Sequence, residues 1–127
     1  PPQLSQSPIV DILRDGAVNT SGLTATLRYA LSQSPDPLFV RAVLGCKPPT
    51  PRTTIRVAGD ALVLQVRGAD SAELADAVGE AVRWLTMGIG NEQAAFDAII
   101  REWLHLTAEV AEARAAVQEA VRRASAS

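Results

Sequence analysis

The side chains that could do chemistry in this sequence are few and scattered. It contains one histidine, His105, and one cysteine, Cys46. A zinc site of two or three histidines, a cysteine cage and an intramolecular disulfide are all excluded within it. A Ser-His-Asp arrangement would have to use His105, which has Arg101 and Glu109 one helical turn to either side, the setting of an exposed, salt-bridging residue. Cys46 follows Gly45 at a predicted helix end, where the helix dipole opposes a thiolate, so it reads as unreactive. Glu73, Asp76 and Glu80 share one helix stripe, a spacing that could hold a metal or an acid–base pair. Arg83 continues that stripe, however, and no apolar surroundings perturb the carboxylates, so the stripe reads as a solvated face. Gly88-Ile89-Gly90 lacks the flanking pattern of a phosphate loop and reads as a corner between helices. Trp84 and Trp103 could line an apolar pocket, but packing in a core or an interface is the expected use. No catalytic, cofactor-binding or metal-ligating residue is assigned, and no cofactor is expected.

The composition fits a soluble globular chain. Apolar residues make up 47% of the 127 and charged residues 20%, which excludes wholesale disorder. Alanine supplies 22 residues and aromatics only 4%, so the core must be built from Leu, Ile and Val, with Ala allowing close helix contacts. The net charge is −2, which disfavours a strongly basic nucleic-acid or membrane-surface protein. Residues 1–52 hold five basic and three acidic side chains, and residues 53–127 hold seven and eleven. Eleven of the twelve basic residues are Arg, a weighting that, with the alanine, suggests GC-rich bacterial coding. The lone cysteine suits a reducing compartment, and no apolar run approaches the roughly 20 residues of a membrane helix. Asp11, Arg14 and Asp15 stand where a signal peptide would need an apolar stretch. The expected location is the cytoplasm.

Near the N-terminal end Ser7-Pro8 predicts a helix start, with Ile9, Val10, Ile12 and Leu13 following and Gly16 as the stop. A second helix is predicted from Thr20 or Ser21 to Ser32, on a stripe of Leu23, Leu27, Ala30 and Leu31. A third begins with Asp36 as cap and Pro37 at its first position and ends at Gly45. Residues 46–53, with three prolines, predict a stiff extended connector. Thr53–Gly68 predicts an antiparallel hairpin turning at Gly59-Asp60, with Val57 facing Leu62, Ile55 facing Leu64 and Thr53 facing Val66. Asp70 to Glu73 resembles a capping box and opens a helix that Met87-Gly88-Ile89-Gly90 ends. The expected fold is thus α+β and predominantly α-helical: three short N-terminal helices, one antiparallel β-hairpin, then a helix and a long C-terminal helix of about 34 residues. The expected division is a small helical unit over 1–45, the connector at 46–53, and the hairpin with its two helices over 54–127, all within one compact domain.

The last helix, opening after Asn91, is the most informative segment. Phe96, Ile99, Trp103, Leu106, Val110, Ala113, Val117, Ala120 and Ala124 recur at alternating spacings of three and four, a heptad seam. Ile100 and Leu104 widen the apolar face near its start, as for a helix packed in a core; beyond Val110 the face narrows to the seam. Such a helix is roughly 50 Å long, whereas a domain of this size is roughly 35 Å across. Its outer half should leave its own domain, carrying a seam that a partner must cover, unless the helix bends back onto the N-terminal helices. The interface residues expected from this are Trp103, Leu106, Val110, Ala113, Val117, Ala120 and Val121. In a parallel dimer Glu109 would meet Arg114 of the other chain, one favourable pair and too few to set orientation.

Three readings of function follow. The first is a non-enzymatic protein–protein interaction module, an adaptor, assembly factor or accessory subunit that forms homo-oligomers or binds a helical partner protein through the long helix. The second is a winged-helix-like DNA-binding regulator with a C-terminal dimerisation helix, with Arg41, Lys47, Arg52, Arg56 and Arg67 around the third helix and wing. Against it, Leu38, Phe39 and Val40 stand where base-reading residues should be, and Asp60 at the wing tip would repel phosphate. The third is a small enzyme or ligand-binding domain using Arg to grip an anion.

Overall fold

The computed structural model describes residues 1–14, 22–90 and 93–126. The elements run β1 (Ile9–Arg14), β2 (Leu23–Ala30), α1 (Pro37–Leu44), β3 (Thr53–Ala58), β4 (Ala61–Gly68), α2 (Ser71–Thr86) and α3 (Ala95–Ala126). The four strands form one antiparallel sheet in the order β1-β2-β4-β3. This corrects the expectation of three N-terminal helices and a single hairpin: the first two predicted helices are β1 and β2, and β4 pairs with β2 along its free side. The winged-helix order of three helices before a hairpin is therefore absent. The predicted stop at Gly16 and caps at Thr20, Ser21 and Asn91 lie outside the described residues.

The reason for the correction lies in two competing periods. Leu23, Leu27 and Leu31 lie four apart, as on a helix. The same stretch also alternates strictly, with Leu23, Ala25, Leu27, Tyr29 and Leu31 separated by Thr24, Thr26, Arg28, Ala30 and Ser32. The β-branched Thr and the aromatic Tyr favour the pleated solution, and pairing with β4 fixes it: Leu27 lies opposite Leu64 and Tyr29 opposite Leu62. In β1 the Ser7-Pro8 pair mimics a helix start, but Ile9, Val10 and Ile12 are β-branched and find partners along β2.

Elsewhere local chemistry is decisive. The β3–β4 hairpin has the predicted register, Val57 with Leu62, Ile55 with Leu64 and Thr53 with Val66. Gly59 takes a φ of +59° at the first turn position, the left-handed conformation a two-residue turn with Gly first requires. Asp36 caps α1 by accepting from the Phe39 N–H at 2.8 Å, and Asp70 caps α2 by accepting from the Glu73 N–H at 2.8 Å.

One sheet face carries Ala25, Leu27, Tyr29, Leu62, Leu64 and Val66, all buried. α1 lies over β3, α2 over β4 and β2, and α3 packs on α1 and α2. Phe39, Val43, Leu85 and Ile99 complete the core from the helices. Gly68 ends β4 where the backbone of α2 passes close: a Cβ there would lie 2.5 Å from the Leu74 nitrogen. The opposite face of the sheet carries no helix among the described residues. There Val63 is fully buried, with Arg28 and Arg56 opposite it in the register on either side.

Candidate interaction surface

α3 is fixed to the body by its first half only. Ile99 is buried, and Phe96, Ile100, Trp103 and Leu106 pack against the core. The Trp103 ring meets Phe39 edge-on, with centroids 6.5 Å apart and planes at 72°. Its indole N–H donates to the Asp36 carboxylate, 3.2 and 3.1 Å from the two oxygens. Asp36 thus does two jobs, capping α1 and tying it to α3 across 67 residues of sequence.

Beyond Leu106 no side chain of α3 is buried. Val110 is 43% exposed, Val117 61% and Val121 59%, and Ala113 and Ala120 are exposed as well. The structure therefore divides the predicted interface residues: Trp103 and Leu106 sit against the body of their own chain, whereas Val110, Ala113, Val117, Ala120 and Val121 stand clear of it. The helix of 32 residues is about 48 Å long, and roughly its last 20 residues extend past α1 and α2. Their charges are placed unevenly. Glu109 and Glu112 stand near the body. At the far end Arg122 and Arg123 both bond to Glu119, at 2.5 to 3.0 Å, and Arg122 foremost holds that carboxyl below its usual pKa.

A second exposed feature was not foreseen. Ile9, Val10, Ile12 and Leu13 on the edge strand β1 are between 51 and 72% exposed, on both faces of the strand. The other edge, β3, is flanked by the Pro48–Pro51 segment, which lines a hollow with Thr53, Thr54 and Ile55. The alternation that defines β2 would have brought these residues to light, because it implies a sheet with another strand at its side.

The remaining candidates stay apart. Cys46 is half-buried and lines a cleft of about 370 Å³ with Arg41, Ala42, Ile99, Glu102 and Leu106. Burial pushes its thiol pKa up, away from the reactive thiolate. His105 is exposed on α3, and Trp84 is buried in the core. Glu73 pairs with Arg52, and Asp76 and Glu80 are exposed. Among the described residues no group of three His, Cys, Asp or Glu is placed to share a metal ion, and no helix is long and apolar enough to cross a membrane. No family, curated protein or solved structure matches the chain.

Proposed function

We propose that this chain is a protein–protein interaction module that works through the outer half of α3, by self-association or by binding a helical partner, and that it is not an enzyme. The observation that carries this reading is the exposed seam of Val110, Ala113, Val117 and Ala120, continuous with the seam of buried Ile99 and partly buried Trp103 on the same helix. An amphipathic stripe held in heptad register on a half-helix with no neighbour among the described residues leaves apolar surface in water that helix pairing removes. The rigid mounting of α3, through Trp103, Asp36 and Phe39, presents that stripe in a fixed direction, and preorganisation of this kind lowers the entropic cost of binding. Far-end alanines allow a partner helix to approach closely.

The test is a pair of substitutions, Val110→Asp and Val117→Asp. Each places a charge at the centre of the seam, where a partner would have to desolvate it, and both side chains are exposed. Association is expected to fall at least tenfold while the unfolding free energy of the body stays within about 0.5 kcal/mol of the original. Retention of the wild-type mass or partner binding by both variants removes the seam from the account.

A further inference from the structure

The geometry points to one occupant for the seam: the outer half of α3 from a second copy of this chain, lying antiparallel. This rests on the seam reading above and adds the partner and its direction. Direction is decided first by what already occupies the seam. At Phe96, Ile99 and Trp103 the seam is covered by the chain's own α1 and core. In a parallel pair the partner's helix would need that same space over residues 96–106. In an antiparallel pair centred near Ala115, the overlap runs from Leu106, which packs on its own body, to Ala124 of each copy, and its inner layers from Val110 to Ala120 lie on the exposed stretch.

Volume points the same way. In that register Leu106 meets the partner's Ala124, Val110 meets the partner's Ala120, and Ala113 meets the partner's Val117. Every layer then pairs a larger aliphatic with an alanine, so the helices can pack at constant separation. A parallel pair would alternate Val against Val with Ala against Ala, leaving voids at Ala113 and Ala120. Charge is complementary too. Positions flanking the seam on one side bring Glu109 opposite the partner's Arg123, and by symmetry Arg123 opposite the partner's Glu109. Arg123 bonds to Glu119 through Nε, and among the described residues its terminal nitrogens remain for that contact. The one opposing contact is Arg114 against the partner's Arg114 near the two-fold axis, where long solvated side chains can splay. The interface is small, so the pair belongs to the weak, concentration-dependent class.

The test uses 127-residue chains carrying Cys46→Ser. One has Ala113→Cys and another Val117→Cys, oxidised singly and mixed. Antiparallel pairing predicts a cross-linked dimer in the mixture and little from either chain alone. Efficient self-cross-linking of Ala113→Cys means parallel pairing and overturns the inference while leaving the seam in use. No cross-link in any sample, with a 13.4 kDa mass at every concentration, overturns self-pairing and leaves the seam to a different protein. Charge exchange gives an independent check. Glu109→Arg is expected to weaken association about tenfold and Glu109→Arg with Arg123→Glu to restore it; failure of the double variant to recover overturns the register.

Discussion

At the residue scale, Asp36 and Tyr29 carry the most specific consequences. Asp36→Ala removes a helix cap and the acceptor for the Trp103 indole together, so a loss of about 1–3 kcal/mol is expected in urea unfolding. Asp36→Asn keeps the cap geometry and should lose less. Tyr29 is buried with a hydroxyl that has no hydrogen-bond partner among the described residues. A buried donor left unmade is a cost, so Tyr29→Phe should leave stability unchanged or raise it by about 1 kcal/mol; a clear loss would mean that the hydroxyl is satisfied in solution. Burial raises the pKa of both Tyr29 and Cys46 above their ordinary values of 10.0 and 9.0. The folded chain therefore keeps these protons at a pH where the unfolded chain releases them. Their contribution is full below pH 9 and drains as pH rises through the folded-state values. Unfolding followed from pH 8 to 11 should show stability falling above pH 9, less steeply in a chain carrying Tyr29→Phe and Cys46→Ser.

At the scale of elements, the close approach of β4 to α2 is the least tolerant contact. Gly68→Ala would press a methyl group against the Leu74 backbone at 2.5 Å, and neither partner is a flexible side-chain end. A loss of about 3 kcal/mol or more is expected from thermal or urea melts, and a loss under 1 kcal/mol would show that the β4–α2 junction is looser than described. The elements also differ in how far they can be read from sequence. The β3–β4 hairpin was legible down to its register because Gly59-Asp60 and the alternation of Ile55, Val57, Leu62, Leu64 and Val66 agree. α1 and α2 were legible from Asp36 and Asp70, whose caps act within three residues. β2 was not, because leucines at 23, 27 and 31 satisfy both a helical and a strand period, and the choice is made by β4, more than 30 residues away. The exposed seam could be anticipated because a helix's length is fixed by its residue count. The bond from Trp103 to Asp36 could not, since nothing local to either residue announces it.

At the scale of the whole molecule, the chain is a one-sided sheet with helices on its apolar face and a single arm projecting from them. Alanine gives that arm a high intrinsic helix propensity, and Arg122 and Arg123 sit near the C-terminal end, where the helix dipole favours cations. What the arm leaves unfinished is its seam, where Val110, Val117 and Val121 keep apolar surface in water. If that seam is covered by pairing, as proposed above, the arm rather than the exposed edge strand β1 joins two copies. Amide hydrogen exchange over residues 107–126, measured across a concentration series, tests this most directly. Protection of the arm is expected to rise with protein concentration while that of β1 stays constant. Exchange in the arm that is fast and indifferent to concentration, or protection that grows at β1 instead, would contradict it.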